Sequence, residues 1–252
     1  MTDVSQSGGQ QLAQATRLLQ AIRDLLDTAL SELKAKTVDA GRVSTAKLDD
    51  YQLISFDLSL SWAECTAAGS LLNYAQRCAT ELPGSADFAA RLANLFCAEA
   101  VHACGARLRA RPADYGLSEA QLAGVLSETG SAEFMSEHMS AANIAAIGQL
   151  VLDRDGDLGP DLLNEHHSMM RDSFHRFADD VVAPLAEEIH RQDLIIPDEI
   201  LEPLKEMGMF GMSIPESYGG LQEDGREDTM SMIVVTEELS RGSLGAAGSL
   251  IT

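Results

Sequence analysis

Apolar side chains return every three to four residues along most of this chain, and that period commits it to helices. One stripe runs through Leu12, Ala15, Leu18, Leu19, Ile22, Leu25, Leu26, Ala29, Leu30 and Leu33, the repeat of an amphipathic helix. It breaks around Ala40–Gly41. A second stripe passes through Ile54, Leu58, Cys65, Ala68, Leu72, Ala75, Ala79 and Leu82 and stops at Pro83–Gly84. A third spans about Phe88 to Leu108 and ends before Pro112. Ser118 with Gln121 three residues on is a capping box that opens a short helix, and a further helix is expected from about Ala132 to Leu152. Strand signals are scarce: the best run, Ile233-Val-Val235, sits inside a helical period. The expected fold class is all-α, beginning with an antiparallel bundle of four or five helices joined by short turns. Leu53, Phe56 and Trp62 read as core residues of that bundle.

Charge narrows the function. The 252 residues carry 18 basic and 39 acidic side chains, a net charge of −21. A nucleic-acid binder needs a basic footprint to neutralise phosphates, and an anionic membrane surface needs the same. No apolar run approaches the ~18 residues of a spanning helix. Met1 to Gln10 is polar, with Asp3, and has neither the basic and apolar regions of a secretory signal nor the arginines of a transit peptide. Cys65, Cys78, Cys97 and Cys104 lie in apolar helical stretches with no Cys-x-x-Cys pair, which reads as buried, reduced thiols in a cytoplasmic protein.

The segment 153–160, Asp-Arg-Asp-Gly-Asp-Leu-Gly-Pro, is a linker between a first domain at 1–152 and a second at 161–252. Its alternating Asp153, Asp155 and Asp157 resemble the start of a calcium loop. Leu158 replaces the required glycine and Asn164 the closing glutamate, so a solvated turn is the reading. Residues 1–160 hold 12 basic and 20 acidic side chains (−8), and 161–252 hold 6 and 19 (−13). In the second domain a helix is expected over about His166–His190, a short one from an Asp198 N-cap to Met207 with Gly208 beyond its end, and a last one over about Thr229–Ser240. Asp172 with His175, and Glu187 with His190, have the i, i+3 spacing of metal-ligand pairs. They lie 15 residues apart on one helix, too close for two helices of a di-iron bundle, so they read as solvated faces and no metal is expected. Gly242, Gly245 and Gly248 have the wrong offsets for a dinucleotide fingerprint and follow a helix.

The second domain also carries an ordered series of motifs. It reads Arg176-Phe177, Val182-Ala183-Pro184, Gly208-Met-Phe210-Gly211, Ile214-Pro215-Glu216-Ser-Tyr218-Gly219-Gly220 and Glu237-Glu238-Leu239-Ser240. Gly208 suits a positive φ at a helix end, and Gly211 and Gly219-Gly220 permit close approaches and turns open to few other residues. Pro215 biases Ile214 toward extended geometry. Across about 80 residues, order and spacing resemble the N-terminal helical domain of the acyl-CoA dehydrogenase family. Arg176, Phe177, Pro184, Gly208, Gly211, Pro215, Tyr218, Gly219, Gly220, Glu237 and Glu238 are read as structural carriers of that resemblance.

The resemblance implies a longer enzyme, in which a β-barrel domain and a C-terminal helical bundle follow this one and FAD binds between them. It implies abstraction of the α-proton of an acyl-CoA by a glutamate, with β-hydride transfer to the flavin and an electron-transferring flavoprotein as acceptor. The family's catalytic glutamate is expected beyond Thr252, so no catalytic residue is assigned here, no cofactor-binding residue is named, and residues 1–252 alone are expected to be inactive. Ser249, Leu250 and Ile251 would begin the acyl-pocket wall. A helical domain before position 161 resembles the branch that oxidises (2S)-methylsuccinyl-CoA to mesaconyl-CoA in the ethylmalonyl-CoA pathway. The glutaryl-CoA branch carries an arginine near Gly245–Ser249, where this chain has Ala246 and Ala247, so a diacid would need its cation elsewhere. Arg176, Arg191 and Lys205 are candidates for CoA phosphates by charge alone. A homo-oligomer, dimer or tetramer, is expected from the family. Another short or branched acyl-CoA, or a non-catalytic helical interaction module, are the alternatives.

Overall fold

The computed structural model describes residues 2–128, 130–157 and 159–250. Contacts divide the chain into two compact units, Met1–Pro160 and Asp161–Thr252, and both are helical, in keeping with the all-α expectation.

Three long helices make the first unit: α1 (Thr2–Thr37), α3 (Gln52–Glu81) and α4 (Ala86–Ala110), with a short α2 (Thr45–Asp49) between the first two. The Ala40–Gly41 break is a tight hairpin. Ala40 and Gly41 both take positive φ (46° and 78°) between β1 (Val38–Asp39) and β2 (Arg42–Val43), the geometry a two-residue hairpin turn demands. The α1 stripe is buried from Leu12 to Leu33, except for a half-buried Leu30. Ala15, Ala29, Ala68, Ala75, Ala93 and Ala98 are fully enclosed where the helices meet, so the backbones approach closely. The Cys97 thiol donates to the Ala15 carbonyl (3.4 Å), and Arg23 donates to the Cys65 carbonyl (2.8 Å). All four cysteines are free and buried. Cys65 and Cys104 place their sulfurs 3.6 Å apart, and this contact, with burial behind it, pushes the Cys65 thiol well above its ordinary range. Such a thiol is inert toward nucleophilic chemistry.

Polar ties fasten α4 to α3. Arg107 grips Glu64 through two bonds (2.6 and 2.9 Å), which lowers the Glu64 pKa. The buried Tyr115 hydroxyl donates to Asp57 (2.8 Å), which also meets Arg111 (3.3 Å). The capping box forms as expected: Ser118 N donates to Gln121 Oε1, and Gln121 N donates to Ser118 Oγ, at the head of α5 (Glu119–Glu128).

Three expectations are corrected. The helix expected over Ala132–Leu152 is two helices, α6 (Ser131–His138) and α7 (Ala141–Leu152). Ser140 caps the second by accepting from Asn143 N (3.2 Å), and an N-cap needs an extended residue that interrupts the run. The bundle is therefore three long helices and a set of short ones. Leu53, Phe56 and Trp62 are exposed rather than core, because α3 offers α1 and α4 a different face. Ala79 is also exposed, and Cys78 takes its place in the core. At 153–160 the aspartates do not converge: Asp153 accepts from Gln149, and Asp157 accepts from Gly159 N and Arg154. Leu158 lies outside the described residues.

In the second unit, α8 (Glu165–Phe177) and α9 (Ala183–Gln192) are joined without a break by one wide π-turn at Ala178–Val182. Pro184 explains it. Its ring has no N–H to give and would clash with the Asp180 carbonyl in a regular turn, and a wider turn gives it room. The chain reverses at Asp193 (φ 53°), and α10 (Asp198–Glu206) and α11 (Thr229–Ser243) follow. Asp198 is the first helical residue and not the cap, since extended Pro197 precedes it. The core gathers Phe174, Phe177, Val182, Leu204, Val235 and Leu239. Gly242 sets the approach of α11 to the π-turn: a Cβ there would stand 3.1 Å from Ala178 Cβ and 3.2 Å from its carbonyl. No helix among the described residues is long and apolar enough to cross a membrane.

One buried group makes the first unit sensitive to acid. The His138 ring packs 4.3 Å from Phe134, its Nε2 is buried with no hydrogen-bond partner, and burial lowers its pKa. Above the unfolded-state value of about 6.5 the ring is neutral in both states. As pH falls below it, the unfolded chain binds the proton first, so stability drops until the lowered folded-state pKa is passed. The melting temperature is expected to fall between pH 7 and 5, and His138→Leu to flatten that part of the profile, as differential scanning calorimetry will show.

Candidate functional site

The motif-bearing segment from Met207 to Gln222 is a loop closed on itself. Gly208 ends α10 at φ 78°, and a Cβ there would meet Leu221 Cδ1 at 2.6 Å. Leu221 N donates to the Gly211 carbonyl (2.8 Å), and a Cβ on Gly211 would press on Leu221 Cγ at 3.3 Å. Beyond it, Gln222 N donates to Ile214 O (3.0 Å) and Glu216 N donates to Gln222 O (2.8 Å), a short parallel bridge flanking Pro215. Gly219 turns at φ 85°. A Cβ on Gly220 would fall 1.9 Å from the Ile214 carbonyl oxygen. Tyr218 projects from this loop at 83% exposure.

Glu238 carries the second cluster. It is 6% exposed on α11, and its Oε2 meets His175 Nδ1 of α8 (2.8 Å) and accepts from Arg241 Nε (2.9 Å). Arg241 reaches further, to Asp179 (2.7 Å) and the His175 carbonyl (3.2 Å), and its guanidinium holds the Asp179 carboxyl below the usual carboxylate range. The His175 ring also meets Asp179 (3.3 Å). Four charged or polar side chains thus clamp α8 to α11, with His175 itself exposed on the helix face as expected. Its i−3 neighbour Asp172 contacts Arg171 instead, which is paired with Asp161. Sequence reasoning missed this pair, although Glu238 and Arg241 stand three apart on one helix, a local signal that could have shown it. Asp179 has no such local signal, because it arrives from another helix.

The remaining motif residues divide by exposure. Phe177 is in the core, whereas Arg176, Pro184 and Glu237 are exposed. Arg191 pairs with Glu187 (2.8 Å) and Lys205 with Glu202 (3.2 Å), both within their own helices. Gly248–Leu250 form a 3₁₀ turn, and Leu250 packs half-buried on the core beside the enclosed Ala246 and Ala247. Ile251 lies outside the described residues.

A cleft of about 410 Å³ opens beside α8, floored by Met170, Phe174, Met207 and Met212. On its rim His167 Nε2 stands 3.1 Å from Asp228 Oδ1. Asp228 caps α11 by accepting from Ser231 Oγ (2.6 Å) and Ser231 N (3.1 Å). These bonds, the serine hydroxyl foremost, hold its carboxyl below the ordinary value. A carboxylate so well supplied with donors is a poor proton acceptor. Glu223 and Glu227 outnumber Arg226 on the same rim, a field that repels phosphates. Among the described residues no three of His, Cys, Asp and Glu converge on a metal position.

Comparison with known proteins places these observations. Residues 164–252 match the family model for the acyl-CoA dehydrogenase N-terminal domain. Across 254 aligned positions, 97% of this chain is 33% identical to the (2S)-methylsuccinyl-CoA dehydrogenase of Cereibacter sphaeroides. Two further relatives align over about a third of the chain: a 3-(aryl)acrylate reductase of Clostridium sporogenes (33% over 84 residues, 33% of this chain) and a glutaryl-CoA dehydrogenase of Desulfococcus multivorans (31% over 81 residues, 32%). The chain spans 44%, 21% and 20% of these proteins' lengths.

Two substitutions test the local architecture by urea unfolding followed by circular dichroism. Gly220→Ala forces Cβ into the Ile214 carbonyl and is expected to cost about 3 kcal/mol. Glu238→Ala strips Arg241 and His175 of their shared acceptor and is expected to cost about 2 kcal/mol, whereas Glu237→Ala leaves stability unchanged.

Proposed function

We propose that this chain, which belongs to the acyl-CoA dehydrogenase family, forms the N-terminal part of an FAD-dependent enzyme that desaturates (2S)-methylsuccinyl-CoA to mesaconyl-CoA. The observation that carries the choice of substrate is the extent of the alignment. The methylsuccinyl-CoA enzyme aligns with the first unit as well as the second, while the reductase and the glutaryl-CoA enzyme align with about a third of the chain. In this reading residues 1–152 are an N-terminal extension, 153–160 a linker and 161–252 the dehydrogenase's N-terminal helical domain.

The thioester carbonyl acidifies the α-carbon, which lets a carboxylate serve as base. That base is assigned to the part of the full protein beyond Thr252, because no glutamate here matches it. Arg171, Arg191, Lys205, Arg226 and Arg241 are each engaged by carboxylates, and Arg176, the sixth basic residue of the second unit, is exposed. In this reading the flavin contacts lie outside residues 1–252, as the family resemblance implies. What this chain contributes is a dry surface. Met230, Ile233 and Leu244 are exposed apolar groups on or just after α11, and in this reading the segment Ser249, Leu250 and Ile251 begins the acyl-pocket wall, as the family resemblance implies. Ala246 and Ala247 are enclosed in the core, so the substrate's distal carboxylate takes its cation from elsewhere. An electron-transferring flavoprotein is the acceptor in this reading, the full enzyme is a homo-oligomer, and four free, buried cysteines support a cytoplasmic setting.

The test is an anaerobic absorption spectrum of the full-length protein. A flavin band bleached by methylsuccinyl-CoA but not by butyryl-CoA or isovaleryl-CoA is the expected result. Bleaching by the latter two alone would keep the chemistry and replace the substrate with a short or branched acyl-CoA. A colourless protein that cannot be reconstituted with FAD would leave a non-catalytic helical module.

A further inference from the structure

Two of the four thiols in the first unit touch each other. Cys65 on α3 and Cys104 on α4 are 1% and 0% exposed, and their sulfurs stand 3.6 Å apart. Bonded sulfurs lie about 2 Å apart, so the pair is a short side-chain movement from a disulfide. The other two are engaged elsewhere: Cys97 donates to the Ala15 carbonyl, and Cys78 lies beside Tyr74.

The surroundings of Cys104 are not those of a space-filling thiol, which needs only apolar walls. Its Sγ lies 3.6 Å from the Ser61 carbonyl oxygen and 3.8 Å from Glu64 Oε2. Arg107, one turn further along α4, grips Glu64 and donates to Ser61 Oγ (3.1 Å). The Cys65 contact foremost, with Arg107 assisting and Glu64 opposing, lowers the Cys104 pKa while that of Cys65 is raised. One sulfur of the pair is thus the first to ionise, and the thiolate is the form that oxidants attack. The Glu64 and Arg107 side chains are 26% and 21% exposed, so this ion pair is the outer cover over Cys104. When it parts, a molecule the size of water reaches the sulfur without separating the helices.

We propose that Cys65 and Cys104 form an oxidant-accepting dithiol site, which hydrogen peroxide converts into a reversible disulfide between α3 and α4. In the first step the Cys104 sulfur attacks one peroxide oxygen and the O–O bond breaks. The departing hydroxide takes the thiol proton as water and leaves Cys104 as a sulfenic acid. In the second, the Cys65 sulfur attacks the Cys104 sulfur, the S–O bond breaks, and the hydroxyl leaves with the Cys65 proton as a second water. The two thiols lose two electrons and two protons, and one peroxide becomes two waters. Cys65, inert by itself, needs no free thiolate for this step because its proton departs with the leaving hydroxyl. The disulfide holds Cys104 back from the irreversible sulfinic and sulfonic acids. Thiols that are reduced at rest and pair only under oxidant are the kind that intracellular disulfides usually represent. This inference does not depend on the catalytic reading above.

Peptide mapping of the full-length protein tests it. The folded protein is treated with hydrogen peroxide, alkylated with N-ethylmaleimide in denaturant and mapped by mass spectrometry without reduction. The expected result is loss of alkylation at Cys65 and Cys104 together, with their peptides joined and two hydrogens lighter, while Cys78 and Cys97 are still alkylated. Dithiothreitol is expected to restore both thiols. In Cys65→Ala, whose folding is checked by circular dichroism, Cys104 has no partner and is expected to be trapped by dimedone as its sulfenic acid. Full alkylation of Cys104 after peroxide would overturn the proposal. So would pairing with Cys78 or Cys97, or a Cys65–Cys104 bond that forms only after urea has unfolded the protein.

Discussion

Helices can approach only as closely as the side chains between them allow, and in both units of this protein the crossing points are made of small residues. In the first, Ala15, Ala68, Ala75, Ala93 and Ala98 line the meeting of α1, α3 and α4, close enough for the Cys97 thiol to reach a backbone carbonyl on α1. In the second, Gly242 brings α11 within reach of Ala178 and Val182. Larger residues fill the space away from these points, and interiors packed this tightly tolerate little added volume. The inter-helix hydrogen bonds exist because the spacing permits them.

That spacing also decides how an acidic chain handles its carboxylates. Surface pairs such as Arg191 with Glu187 contribute little. The carboxylates that tie one element to another are those with arginine or tyrosine partners arriving across a helix interface: Glu64 with Arg107, Asp57 with Tyr115, and Glu238 with Arg241 and His175. A carboxylate in such a position destabilises the fold if its partners are removed. The Glu238 cluster accounts physically for one residue of the Glu237-Glu238 motif. Its neighbour Glu237 points to solvent and has no structural partner to account for it.

The same division holds for the motif loop. Gly208, Gly211 and Gly220 each make room for a particular neighbour, Leu221 or the Ile214 carbonyl. These residues identify a family through the shape of a backbone, and no reacting group is among them. The cleft beside α8 reinforces the point, since its best-placed carboxylate, Asp228, is committed to capping a helix. The part of the family's domain held in this chain is a scaffold that leaves apolar groups such as Met230, Ile233 and Leu244 exposed.

Much of this was legible in the residues themselves. The buried stripe of α1, the capping box at Ser118 and Gln121, the left-handed Gly208 and the family resemblance are all local patterns, each specified by residues within a few positions of one another. The split at Ser140, the π-turn before Pro184 and the Glu238 clamp were not. Ser140 looks like any helix-surface serine until its neighbours fold around it, and Asp179 meets Arg241 only because α8 and α11 cross. The apolar residues of α3 make the same point. Period alone showed that Leu53 and Phe56 belong to a helix with apolar faces, but it gave no means of telling the core face from the exposed one. Only the tertiary structure decided that, because burial depends on which helix arrives at which side, and that depends on small residues far apart in the sequence.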